Sequence, residues 1–377
     1  MYKRLIIISD TAIYRTEGED FAFGPVVREL EFIESLFDEI IWIGFNREDK
    51  INDLSMQKIQ SSKIKTVLLT KIGGKGFLSL MKIILQYPVM FFTILKYVRK
   101  GDIIHTRAPS HPALIAVLLS FVYKNKIWWN KYAGNWNQKN PPLSYGFQRW
   151  LFKKAKHTNV TINGFWYNQP KHCYSFENPC LTQEDIEKGK EITQKKTFEP
   201  PFVFAFAGRM EDAKGVSRII EALKSVPFHQ IKEVHFIGDG KKTETYIKQS
   251  EYLGDKVLFH GFLDKTGVHN ILKKTDFFIL PSTASEGFPK VIAEAACYGA
   301  VPVVSNVGSI AHYVNENNGF IWDLDKSAPY SEILHKAVQA DTIVLKQKSL
   351  QLADLAEQFT FQNYLEKLEN KILSFKK

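Results

Sequence analysis

The chain has 377 residues, 45% hydrophobic and 24% charged, an ordinary globular balance with room for two domains and no low-complexity tract or repeat. Its three cysteines, Cys173, Cys180 and Cys297, show neither zinc-site spacing nor a disulfide framework, which points to a reducing compartment. The net charge of +10 is uneven: between Lys58 and Lys156, eighteen Lys and Arg residues stand against one acid, Asp102. Such a segment suits an anionic partner (anionic lipid, a diphosphate-bearing acceptor or nucleic acid) or is a solvated basic face. No nucleic-acid recognition motif accompanies it.

In chain order, 1–10 reads as a buried strand of a parallel sheet, too short in apolar length for a signal peptide. A polar loop over 11–23 follows, then an amphipathic helix opening at Gly24-Pro25 and a strand over 40–45. Val67 to Leu69 is a third strand. Gly73-Gly74-Lys75-Gly76 lacks phosphate-loop spacing and reads as a connector. The segment 77–98 is long and apolar, but Lys82, Gln86 and Pro88 argue against a membrane span; an interfacial helix and a buried or interdomain helix both stay open. Two strand ends then run into loops, 102–107 and 126–136. They carry His105, Arg107, Lys131, Tyr132 and Asn135, candidates for acceptor contact for which an ordinary structural role competes. A helix over 146–156 and a strand over 160–162 follow. The charged, proline-closed stretch 184–201 reads as an interdomain linker.

The second half opens with a buried strand, 202–207, and the loop Gly208-Arg209-Met210-Glu211-Asp212-Ala213-Lys214-Gly215. Glycine allows close backbone approach to a ligand; the Arg209 fork and the Lys214 ammonium above a helix N-terminus would hold a diphosphate without metal. Strands ending at Gly238 and near Gly261 follow. The strand 276–280 then leads into S-T-A-S-E-G-F-P-K-V-I-A-E-A-A-C-Y-G over 282–299, with Pro289 fitting the first helical position. This unit places Glu286 in a turn, where it can face a ligand, and Glu294 inside the helix, where it can reach a hydroxyl. Two carboxylates serving only their helix and solvent are the bland alternative.

Glu-x7-Glu within E-G-F-P-K-V-I-A-E-A resembles the signature of glycosyltransferase family 4, and G-R-x5-K-G-V resembles that family's second signature. The resemblance covers about 200–325 and is thin before that. It implies an α/β GT-B fold of two Rossmann-like doubly wound domains facing across a cleft. The expected domains are 1–198 for an acceptor and 199–358 for a nucleotide sugar, with a helix at 359–377 returning to the first. It implies that Arg209 and Lys214 hold the donor diphosphate, Glu286 contacts the sugar and Glu294 the ribose. Backbone at Gly208, Gly238, Gly261, Gly287, Phe288 and Pro289 completes the donor site. The family's histidine near the second acceptor loop is missing from K-Y-A-G-N-W, and His105 is a weak substitute.

The expected protein is a retaining glycosyltransferase at the cytoplasmic side, peripheral on anionic membrane. It would need no metal and no cofactor beyond its nucleotide-diphosphate-sugar substrate, and would act on a glycan or lipid-linked acceptor in surface polysaccharide assembly. A GT-B nucleotide-sugar epimerase and a non-catalytic membrane- or polysaccharide-binding subunit are the alternatives.

Overall fold

The computed structural model describes residues 2–47, 55–70, 77–284 and 286–373; the basic glycine stretch 73–76 lies outside them. The chain divides into two compact units, Met1–Phe176 with Leu365–Lys377, and Glu177–Tyr364.

The first unit is built on parallel strands in the spatial order Ile64–Leu69, Phe37–Asn46, Tyr2–Thr16, Ile103–Ala108, Ile127–Tyr132, Asn159–Asn163, Cys173–Phe176. The order reverses at Tyr2–Thr16, the doubly wound pattern in which ligands gather at the carboxyl ends beside the switch point. Leu5, Ile6, Ile7 and Ile8 are all fully buried, as a strand covered on both faces requires.

The polar loop expected at 11–23 is instead a β-hairpin. Tyr2–Thr16 continues outward and pairs antiparallel with Glu19–Phe23, Thr16 opposite Glu19. Its two-residue turn, Glu17-Gly18, has φ of 51° and 80°, the left-handed pair that matches hairpin twist. The helix Phe77–Lys100 then crosses the unit, sending Met90, Ile94 and Val98 into a core of Ile6, Ile8, Ile43 and Trp128.

The second unit has six parallel strands in the order Val257–Phe259, Ile231–Ile237, Phe202–Ala207, Phe277–Leu280, Val301–Ser305, Phe320–Trp322. Here the reversal falls at Phe202–Ala207. The loops after it and its two neighbours therefore leave the sheet at the switch point. The stretch 184–201, expected from its charge to be a linker, instead forms the helix Gln183–Lys195. Thr182 and Asp185 cap it reciprocally, at 3.1 and 2.9 Å, a capping box that satisfies two orphan donors. Ile186, Gly189 and Thr193 are its buried face. Near the end of the chain, Phe361–Leu368 is a helix followed by a wider π-turn, Glu369–Leu373, and Asn159 Nδ2 donates to the Ile372 carbonyl at 3.3 Å.

Candidate functional site

In the second unit, three strand-end loops are laced together through their backbones. The Gly208 N–H donates to the Ile237 carbonyl at 2.9 Å, Met210 to Asp239 at 2.9 Å, and Gly238 to Gly261 at 2.7 Å. At two places in this lacing there is no room for a side chain. Gly238 has φ of 127°, and a Cβ there would lie 2.0 Å from the Gly208 carbonyl oxygen; one on Gly240 would lie 2.4 Å from that of Met210. Gly238→Ala is expected to lower the unit's unfolding free energy by about 2 kcal/mol or more, from strain plus clash. An unchanged urea midpoint would show that the loops yield instead.

The fourth loop, after Phe277–Leu280, is tied to the first. Thr283 N–H donates to the Ala213 carbonyl at 2.7 Å. The Arg218 guanidinium donates to the carbonyls of Pro281 at 3.0 Å and Asp212 at 2.9 Å. Gly215, with φ of 93°, lets the helix Val216–Leu223 begin against Pro281, whose carbonyl oxygen would be 2.4 Å from any Cβ. This closure sets Lys214 Nζ 2.6 Å from Glu286 Oε2, with 14% and 21% of the two side chains exposed. The other carboxylate oxygen of Glu286 accepts from Ser282 Oγ at 3.0 Å. Ser282 is fully buried, and its carbonyl accepts from Ser305 Oγ at 2.5 Å. Gly308, with φ of 64°, closes over the turn, and Ser309 N–H donates to the Gly287 carbonyl at 3.2 Å.

The structure thus brings Lys214 and Glu286 together and adds Ser282, which no sequence signal singled out because a serine in a polar turn is commonplace. Arg209 is on the same loop as Lys214 but 74% exposed, its Nη2 3.0 Å from Glu211 Oε1. Glu294 is half-buried on the helix Lys290–Cys297, and its charge helps push up the pKa of the Tyr298 hydroxyl, after burial, Cys297 and Asp185. Pro289 takes the N-cap place, one residue before the first helical turn. The Phe288 ring is buried, stacked on Phe359 at 4.6 Å and tilted on Tyr313 at 4.7 Å, so only its backbone remains for a donor.

Most of the acceptor candidates in the first unit are placed otherwise than expected. His105 is not on a loop. It is fully buried within its strand, stacked on Trp129 at 3.7 Å, and burial holds its pKa well below the ordinary value. Tyr132 is 1% exposed and packs edge-on against Trp136 and Phe152. Both strands run further before turning than their polar residues suggest. Arg107 and Lys131 are register partners that converge on the buried Glu29, at 3.0 and 2.7 Å. Their partner lies on the helix Gly24–Ile33, far away in sequence. Asn135 is half-buried, and its Oδ1 accepts from Asn137 N–H at 2.9 Å.

What opens at the carboxyl ends of these strands is a cavity of about 390 Å³ whose lining includes Asp10, Arg47, Ser110, His111, Tyr145 and Gln148. Desolvation raises the pKa of the Asp10 carboxyl, while its own backbone N–H, Arg107 and His111 oppose the shift. Gln148 Oε1 accepts from Ser110 N–H at 3.0 Å, and His111 Nδ1 is 2.7 Å from the Tyr87 hydroxyl. Asp10 was legible only as a residue at a strand end.

Two doubly wound units, with glycine-laced loops and a cation–carboxylate pair at one switch point, define the GT-B class of fold. Residues 187–348 match the family described as Glycosyl transferases group 1. The chain is 25% identical over 195 residues to the capsular polysaccharide biosynthesis glycosyltransferase CapM of Staphylococcus aureus, covering 50% of this chain and 48% of that one. It is 32% identical over 154 residues to the UDP-Gal:alpha-D-GlcNAc-diphosphoundecaprenol alpha-1,3-galactosyltransferase of Escherichia coli, covering 39% and 38%. The matches therefore span half or less of either relative. The fold matches the crystal structure of Anabaena Alr3699/HepE in complex with UDP across 100% of both chains, with a TM-score of 0.69 and 17% identity.

Proposed function

We propose that this protein is a retaining glycosyltransferase that moves a sugar from a nucleotide-diphosphate sugar to a hydroxyl of a lipid-linked glycan during surface polysaccharide assembly. The observation that carries this reading is the Lys214–Glu286 pair, held between two loops at the switch point of the second unit. A diphosphate oxygen replaces the Glu286 carboxylate on Lys214, and the released carboxylate accepts hydrogen bonds from the sugar hydroxyls. Arg209, exposed on the same loop, leaves Glu211 for the same diphosphate. The two cations neutralise charge as it develops on the leaving group, the electrostatic stabilisation that lowers such barriers most, without a metal.

In the reaction the bond between the anomeric carbon and the diphosphate oxygen breaks, and the acceptor oxygen forms a bond to the same face. The acceptor proton passes to the departing diphosphate. Glu294 binds the ribose hydroxyls, and the backbone at Gly208, Gly238, Gly261 and Gly287 admits the nucleotide closely because no side chain stands there. On the first unit, Asp10 and Asn135 hold the acceptor. Of the similar proteins, one is complexed with UDP and one is named for UDP-Gal, which supports uracil as the base.

The test is thermal unfolding with UDP, GDP and their sugars. UDP at about a hundredfold excess over its Kd is expected to raise Tm by roughly 5 °C or more, with a smaller effect of GDP. Glu294→Ala is expected to weaken the response to UDP. No shift with any nucleotide would remove the donor site from this reading.

A further inference from the structure

The helix Phe77–Lys100 is apolar on two faces, and the fold uses only one. Met90, Ile94 and Val98 are buried in the first unit's core. On the other side Met81, Leu85, Val89 and Phe92 are 42%, 68%, 59% and 65% exposed. Their spacing of four, four and three residues puts them in one row along the helix. The helix His111–Ser120 runs beside it, fixed by Tyr87 Oη to His111 Nδ1 at 2.7 Å and by Arg99 Nε to Tyr123 Oη at 3.0 Å. Leu118 on this helix, and Phe121 and Val122 just past its end, are further exposed apolar side chains, the last 74% exposed. Large apolar side chains exposed in a row of this kind mark an interaction surface.

The charge around the patch selects the partner. Lys96, Arg99, Lys100 and Lys124 are exposed where the two helices end. Between Lys58 and Lys156 the sequence holds a single acid, Asp102, and that carboxylate accepts from the Arg4 N–H at 3.0 Å. A second copy of the chain would set like charge against like charge. No helix among the described residues is long and apolar enough to cross a membrane, so the patch suits a surface on which a helix lies flat.

We propose that this face docks the first unit on an anionic phospholipid surface, with the row from Met81 to Phe92 in the acyl boundary and the lysines among the headgroups. The surface is independent of the transfer reading: it requires no donor and no acceptor.

The experiment is co-sedimentation of the full chain with vesicles of phosphatidylcholine alone or mixed with phosphatidylglycerol, at low and high salt. Wild type is expected to bind the mixed vesicles, to bind neutral ones weakly, and to be released by salt. Leu85→Ser with Phe92→Ser, and separately Lys96→Glu with Lys124→Glu, should each weaken binding roughly tenfold or more. Both variants should keep the wild-type Tm and its response to nucleotide, which separates lost docking from lost folding or a lost donor site. Wild type left in solution with mixed vesicles would overturn the proposal, and so would apolar variants that bind as wild type does. Concentration-dependent dimers that the Leu85→Ser, Phe92→Ser variant abolishes, without vesicle binding, would assign the face to a second copy instead.

Discussion

Lys214→Ala is expected to lower kcat/KM for sugar transfer by roughly 10²–10³-fold, the scale seen when one fixed donor to a developing anion is removed. In the resting protein Lys214 Nζ sits 2.6 Å from Glu286 Oε2, so the cation is held in place before a diphosphate arrives. Its removal takes away charge and fixed position together. The fold should survive. Glu286 keeps its hydrogen bond from Ser282 Oγ, and with 21% of its side chain exposed it can recruit water. With 14% and 21% of the two side chains exposed, the pair lies between a surface bridge and a buried one, and its loss is expected to cost roughly 1–3 kcal/mol. Initial rates with a nucleotide sugar, beside a Tm for the same variant, decide the matter. Wild-type kcat/KM in a folded variant would refute the role given to Lys214. A collapse of Tm together with activity would make the pair structural.

Glu29→Ala is expected to cost the first unit about 3–5 kcal/mol, because it strands buried charge. Glu29 is 2% exposed and accepts from Arg107 and Lys131, themselves 15% and 4% exposed in their side chains. Without the carboxylate, two cations remain among strand ends with little water to solvate them. Lys131→Met, which leaves Glu29 paired with Arg107, should cost less. Urea unfolding of the two variants tests the asymmetry. A Glu29→Ala loss below about 1 kcal/mol would mean that the cluster is better hydrated than its burial implies.

The second unit was the more legible half of the sequence, for a physical reason. Its parallel strands are covered on both faces, so Phe202–Ala207 and Phe277–Leu280 stand out as unbroken apolar runs. The loops that follow carry Lys214 and Glu286 as charged punctuation between such runs. The hairpin at 11–23 was hidden because its strands are polar and its turn, Glu17-Gly18, needs a left-handed glutamate. The helix Gln183–Lys195 was hidden because only three of its thirteen residues are buried; its capping box was the signal to weigh. The grouping of Arg107, Lys131 and Glu29 had no local signature at all, since three separate elements supply it. The same strand-end polarity that marked His105 as a ligand contact belongs to a histidine stacked inside the sheet.

The lacing of Gly208, Gly238 and Gly261 by main-chain hydrogen bonds divides the labour within the second unit. Curvature there is written into peptide groups, which substitution of neighbouring side chains does not alter. Side chains standing on that scaffold can then be exchanged, and what the loops touch altered, while the path of the loops stays as the main chain sets it.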